Sequence, residues 1–446
     1  MQKMKWSVIA FAVAAASTQM AAASQQSESN GFIEDSKLDL HARTLYFNRD
    51  FRNGWANVSP ANAAKGKYNG YREETGLGLK AIYESGFTQG TVGFGVDAFA
   101  MTGIRLDGGR GRNGNNQFPT RDNGKQETSY GQVGGAIKAR LSNTTLKYGE
   151  QFVDLPVLSM DDARLLPEST TGFLVTSEEI DGLVLHAGHF TALNALDQTA
   201  RDSANGGLLR SIDLIGGRYN ITDDLSAAYY YADADLGQKG YRLKAKKQYL
   251  NLNYNYQIAD DQSVTVDFNA YSTRLQDKDG AWGLNNSGSR ISKNNIRSLA
   301  LAYNIGAHTF TVGKQCVEGN SNAGYLYGYD GGGSVYVLND VQYNDFSQQG
   351  EKSYQARYDL DFTQFGVPGL SLMTRYVRGS NIADANGRHQ GKNWERDTDV
   401  RYVIQSGAAK DLSLHLRNAT YRANDAAGNP DVNEVRFIVE YPLSIL

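Results

Sequence analysis

The stretch Asn433–Leu446 reads Asn433-Glu434-Val435-Arg436-Phe437-Ile438-Val439-Glu440-Tyr441-Pro442-Leu443-Ser444-Ile445-Leu446. Val435, Phe437, Val439 and Tyr441 share one parity, and Arg436 and Glu440 share the other. Successive side chains of a β-strand point to opposite faces, so the stretch predicts a strand with one apolar and one charged face. The same alternation recurs upstream. Leu412, Leu414 and Leu416 alternate with Ser413, His415 and Arg417, and Tyr354, Ala356, Tyr358, Leu360 and Phe362 with Gln355, Arg357, Asp359 and Asp361. Leu250, Leu252, Tyr254, Tyr256 and Ile258 alternate with Asn251, Asn253 and Asn255, and Val264, Val266, Phe268 and Ala270 with Thr265, Asp267, Asn269 and Tyr271. Near the start, Leu38, Leu40, Ala42 and Tyr46 alternate with Asp39, His41, Arg43 and Arg49.

Connections alternate in length as well. Tight turns are expected at Ser142–Asn143, Asp223–Asp224, Asp260–Asp261, Gly306–Ala307 and Lys410–Asp411. Between them lie long loops rich in Gly, Asn and Asp, near 103–127, 151–172, 191–208, 275–292, 317–350, 379–393 and 423–432. The punctuation leaves room for roughly eighteen strands, an even number with short turns on one rim and long loops on the other, as in closed outer-membrane barrels. The prolines fall in loops, turns or near the chain end, as a hydrogen-bonded ladder requires. A soluble β-sandwich also alternates apolar and polar positions, but tyrosine-rich strand ends fit the interface girdles of a membrane barrel. The expected fold is therefore all-β: a transmembrane antiparallel β-barrel in one domain, residues 24–446.

Composition agrees. The chain has 446 residues, 45 basic and 48 acidic, for a formal net charge of −3; glycine contributes 48 residues, tyrosine 27, proline 7 and cysteine 1. A helical membrane protein needs apolar runs of about 20 residues, which the chain lacks. Cys316 alone cannot make a disulfide framework, and without a basic surplus the chain is not a general nucleic-acid binder. Lys3 and Lys5, the apolar run Trp6–Ala16 and the small residues Ala21-Ala22-Ala23 form the three regions of a signal peptide, so residues 1–23 are expected to be removed on export. The expected surroundings are outer-membrane lipid and lipopolysaccharide.

If the apolar parity faces lipid, the other faces the lumen. That face carries Arg43, Arg49, Lys80, Lys138, Arg140, Lys147, Arg357, Arg375, Arg401, His415, Arg417 and Arg436. Strands from the two ends of the chain are neighbours in a closed barrel, so Arg49, Arg417 and Arg436 can line one wall. A file of guanidinium groups in a narrow aqueous lumen attracts anions and binds carboxylates bidentately. Some of these charges will only brace neighbouring strands. The loop 149–172 is too apolar to float in solvent: it contains Asp154-Leu155-Pro156-Val157-Leu158 and Asp161-Asp162-Ala163-Arg164-Leu165-Leu166-Pro167. Folded inward, it would narrow the lumen, with Arg164 facing the pore and Asp161 or Asp162 opposite or bracing it. Packing on the outer rim is the alternative.

Several stretches together resemble the OprD family of substrate-specific outer-membrane porins. They are Gly31–Ser36 with Tyr46-Phe47-Asn48-Arg49-Asp50, Glu84–Gly90, Val92–Ala98, Ser159–Pro167, Val341-Gln342-Tyr343-Asn344-Asp345-Phe346, Gly366–Leu370 and Tyr441–Leu446. The resemblance covers the chain after residue 23 in the family's order. It implies an 18-stranded monomeric barrel with a narrow eyelet, and passive uptake of small carboxylate-bearing nutrients along a ladder of basic residues. By position, Arg49, Arg164, Arg417 and Arg436 fall on ladder arginines, with Arg72 as a further match; Arg357 joins the pore-lining set. At His415 the family often has arginine or lysine, which makes this rung weaker and sensitive to pH. Tyr343 and Asp345 match the eyelet wall opposite the ladder. Asp340 stands where serine is common and adds acidity, which would favour a solute with a positive group at its other end, such as a basic amino acid. An aromatic or aliphatic acid would gain nothing from those aspartates.

Other chemistries find little support. His186 and His189 are three apart in a strand and point to opposite faces, so they cannot share a metal. Gly331–Gly333 lacks a following helix pattern, so no phosphate cradle is expected, and no cofactor is called for. A barrel hydrolase stays open as an alternative, and a purely structural barrel would not need a basic file on one parity.

Overall fold

The computed structural model describes residues 24–445, apart from 67, 110, 122, 204–208, 239–240, 279–290, 321–334 and 385. The expected signal peptide lies outside the described residues. Eighteen strands pair antiparallel in a single sheet. The first strand, Lys37–Phe51, pairs with the second, Tyr71–Glu84, on one side and with the last, Val432–Ser444, on the other, so the sheet closes on itself. No helix among the described residues is long and apolar enough to cross a membrane; the strands supply the crossing.

Alternation sorts the side chains as a bilayer demands, with apolar groups outside and polar groups inside. Val133 is 82% exposed, while its lumen-facing neighbour Gln132 is 8% exposed. Leu250, Leu252, Phe310, Val312, Leu416 and Phe437 face outward, whereas Asn269, Gln315, Gln355, Glu395, Glu434 and Arg436 are buried within. Four of the five expected tight turns stand where they were placed, helped by left-handed backbone at Ser142 (φ 56°) and Gly306 (φ 54°). The fifth differs. Lys410–Asp411 belongs to a longer connection, 404–412, closed by hydrogen bonds from Ile404 N to Leu412 O and from Asp411 N to Ile404 O. One further long loop, between Phe51 and Tyr71, also went unread; it carries the helical turn Pro60–Ala63.

The loop after the fifth strand folds inward and crosses the lumen. A short hairpin, Asp154–Leu155 with Leu158–Ser159, buries Val157, Leu158 and later Leu165 and Leu166. At one end the Tyr271 hydroxyl donates to Pro156 O at 3.0 Å. At the other, Arg43 Nη1 donates to Asp162 O at 3.1 Å and Arg164 O at 2.7 Å. Tyr271 lies on the eleventh barrel strand and Arg43 on the first, 10 steps apart one way and 8 the other in the ring of 18. The two anchors are on nearly opposite walls, which excludes the outer-rim placement.

His186 and His189 do face apart: His186 Nδ1 meets the Tyr230 hydroxyl at 3.1 Å, and His189 Nδ1 meets Asp213 at 2.7 Å on the exposed side.

Candidate functional site

Register brings arginines from distant parts of the chain into one wall. Arg49 pairs across strands with Arg72 on one side and Glu434 on the other, and Arg417 pairs with Arg436. Glu434, fully buried, accepts from Arg49 Nε at 2.5 Å and from Arg436 Nε at 2.6 Å. The inward loop adds Arg164. Three guanidiniums then surround one ring, with Arg436 4.4 Å, Arg49 5.0 Å and Arg164 5.1 Å from the centroid of the buried Phe47. The π-face offers favourable electrostatics to each cation without neutralising it.

Arg72 and Arg164 have no ion-pair partner among the described residues. Backbone carbonyls of the loop 111–118 orient them instead: Arg72 Nη1 donates to Gly114 O at 2.8 Å and Arg164 Nε to Asn115 O at 2.9 Å. That loop is itself fastened. Gly114 N donates to Glu74 at 2.9 Å, and Asn57 Nδ2 donates to Gly111 O and Asn113 O at 3.0 Å each. A carbonyl dipole fixes a guanidinium in direction but leaves its unit charge in place. Among the described residues, the one carboxylate ion-paired to this group of four is Glu434, through Arg49 and Arg436, for a formal charge of 4 − 1 = +3.

The other expected rungs are braced. Arg357 is held by Asp359 of its own strand through two contacts of 2.7 Å, Arg375 by Asp397 at 2.6 Å, and Arg417 lies 3.1 Å from Asp399. His415 Nε2 meets the same Asp399 at 2.5 Å. Lys138 and Lys147 share Asp97 at 2.7 and 2.5 Å, and Arg140 bonds Gln26 at 3.0 Å. Arg401 donates to Ser413 Oγ at 2.9 Å.

Asp162 does not brace Arg164. Its carboxylate is taken by Arg43 at 2.8 Å and lies 3.9 Å from Lys80. Burial opposes ionisation there, but Arg43 and Lys80 hold the Asp162 carboxyl well below the usual carboxylate range. A depressed acid stabilises the contact above its ordinary value of 3.8 and loses that stabilisation only as the pH falls through the lowered one. Loop seating should therefore hold from neutral pH down to 3.8, with any loop-opening rise in single-channel conductance confined to more acid solution. Asp161 instead receives the backbone N–H of Ala163 at 2.7 Å.

A further side of the site is formed by a segment within the long loop 317–350. Tyr343 stacks its ring 5.1 Å from Arg49 Cζ and 5.0 Å from the Tyr421 ring. Asp345 is exposed, and its carboxyl group interacts with that of Asp340. Enclosure by the barrel, with Asp161 nearby, pushes the Asp345 carboxyl up from its ordinary value. The structure thus brings Arg49, Arg72, Arg164, Arg436 and Tyr343 together, carries Asp340 and Asp345 on the same segment as Tyr343, and places Arg357 and Arg417 in ion pairs, with His415 on the Asp399 carboxylate, along the adjoining wall.

Two members of the site were readable but passed over. Phe47 is an aromatic residue on the lumen parity of a strand that also carries Arg43 and Arg49 there, and Glu434 shares the parity of Arg436. The carbonyls that hold Arg72 and Arg164 carry no side-chain signal at all.

Comparison with known proteins places this geometry. The family described as outer membrane porin, OprD family, matches residues 30–445. Porin D of Pseudomonas aeruginosa is 43% identical, with 100% of each chain covered. Among solved structures, OccAB1 of Acinetobacter baumannii superposes with a TM-score of 0.85 at 34% identity, over 95% of this chain and 100% of that one. OprD of Pseudomonas aeruginosa gives 0.74 at 40% identity, over 96% and 100%. With its closed eighteen-stranded barrel, its inward loop and this likeness along nearly its whole length, the chain belongs to the OprD family of outer-membrane porins.

Proposed function

We propose that this channel admits small carboxylate-bearing solutes, and among them favours those with a cationic group at the other end, such as basic amino acids. The observation that carries this reading is the group Arg49, Arg72, Arg164 and Arg436, in which, among the described residues, only Arg49 and Arg436 are ion-paired, both to Glu434, and the other two are held by carbonyls. A carboxylate drawn to that wall gains charge-assisted contacts that chloride cannot make bidentately. Asp340 and Asp345 on the neighbouring segment give a cationic group something to meet. Residues 1–23 act as the export signal, and the mature channel works as a single barrel.

Liposomes carrying the purified protein should swell faster in arginine than in benzoate or glucuronate of equal concentration. Faster swelling in benzoate would transfer the assignment to aromatic acids, and release of an ester product without conductance would favour a hydrolase. Arg436→Ala removes two contacts, to Glu434 and to Gln342 O at 3.1 Å, together with the stack on Phe47. Arginine flux should fall about tenfold, the worth of one charge-assisted hydrogen bond. Unchanged flux through a folded variant would remove Arg436 from the solute path.

A further inference from the structure

The segment that carries Tyr343 and Asp345 has no regular secondary structure, yet many of its backbone groups are held by buried side chains. Glu395, fully buried on the strand His389–Val403, accepts two consecutive backbone N–H groups, from Tyr343 at 2.8 Å and Asn344 at 3.0 Å. The preceding N–H, of Gln342, points at Asp397 on the same strand face at 3.4 Å. Three successive donors thus converge on two carboxylates, an arrangement in which a chain segment is captured by its main chain rather than its side chains.

A second side chain closes the segment from the other side. Gln315, also fully buried, lies on the strand His308–Gly319, three strands away in the ring. Its amide Nε2 donates to Asp345 O at 3.1 Å and Phe346 O at 2.9 Å, and its Oε1 accepts from Asn339 N at 2.9 Å. Both halves of one amide are used to hold the two ends of a short arc. Phe346 sits in that arc with φ 49° and no exposure, a conformation that persists only when its surroundings enforce it. On the pore side, Gln342 O receives Arg436 and Gln342 Nε2 donates to Glu434 at 3.2 Å, so the arc is tied to the arginine wall.

We infer that Glu395 and Gln315 are positioning residues for solute selection: they touch no solute, and they fix the backbone of Asn339–Phe346 so that Tyr343 and Asp345 stand at a set distance from the arginines. This rests on the reading that Tyr343 and Asp345 meet the solute. A glutamine at 395 keeps the volume but offers one good acceptor to two donors, and its own NH₂ faces a backbone N–H. A methionine at 315 removes the amide altogether. Either change frees the same arc without cutting a barrel ladder.

The test uses single channels of the purified protein in a planar bilayer, with KCl carrying the current and arginine added as the blocking solute. Glu395→Gln and Gln315→Met should each keep the heat-modifiable gel migration of a folded barrel, raise the open-channel current noise, and weaken arginine block about tenfold. The double variant should be no worse than the stronger single one, because both release one segment. Asp345→Asn serves as the reference for the reading itself, since it should weaken block without added noise. If Asp345→Asn weakens block and folded Glu395→Gln matches the parent in noise and block, the positioning role is overturned. If Asp345→Asn leaves block unchanged, the eyelet reading fails, and noise alone then decides the clamp. Should Glu395→Gln fail to fold, Gln315→Met decides on the same readouts, and a purely structural role would lower the unfolding temperature with quiet, parent-like currents.

Discussion

Replacing Glu434 with glutamine is expected to cost the barrel about 3 kcal/mol and to raise its preference for chloride over potassium, because a buried carboxylate that serves two arginines is removed. Glu434 has no exposure and bonds both Arg436, two residues along its own strand, and Arg49, directly opposite it on the first strand. A glutamine can accept from one of them, so the other guanidinium loses its acceptor and both lose their counter-charge. The four-arginine group then carries its full charge of +4 in place of +3. Stability would be read from the midpoint of chemical unfolding in detergent, and selectivity from the reversal potential across a salt gradient. A variant equal to the parent in both would show that Glu434 is dispensable to the wall and that its neighbours neutralise the arginines.

Gly78→Val should open the channel. Gly78 lies on the lumen face of the second strand, beneath the inward loop, and a Cβ there would come within 2.7 Å of Leu165 O and 3.2 Å of Leu165 Cγ. Neither atom is the free end of a flexible side chain, so the loop backbone must give way. Overpacking of this kind costs about 1–3 kcal/mol, an amount the many strand pairings absorb more easily than one loop does. The expected result is a folded barrel with larger unitary conductance and weaker discrimination between arginine and benzoate. Gly76, where a Cβ would meet Phe118 and Leu165 side chains at 2.6 and 2.8 Å, should respond more mildly. Gly70→Ala is the control, since nothing lies within 4 Å of its Cβ. Parent-like conductance for Gly78→Val would mean that the loop does not set the width of the channel.

Much of the architecture was legible because a strand announces itself locally. Val435, Phe437 and Val439 against Glu434, Arg436 and Glu440 state which face meets lipid, and closure then puts those charges inside. The constriction loop was legible for a different reason: Val157, Leu158, Leu165 and Leu166 are too apolar for an aqueous loop and must bury somewhere. The turn at Lys410–Asp411 was placed too tightly because polar residues mark a connection without marking its length. Asp162, one of the two aspartates expected opposite or bracing Arg164, braces Arg43 instead, because a nearby sequence position says nothing about which wall a loop residue reaches.

By itself, the sequence determined the membrane barrel, the face of each strand, and hence a lumen rich in both signs of charge, because side-chain direction in a strand depends only on backbone geometry with period two. Only the tertiary structure decided which charges cancel. Arg357 and Arg417 found carboxylates, Arg72 and Arg164 found backbone carbonyls, and Arg49 found Glu434 at a separation of 385 residues. Those pairings follow from ring closure, register and the path of two inward segments. They are relations between distant residues, and no local pattern carries them.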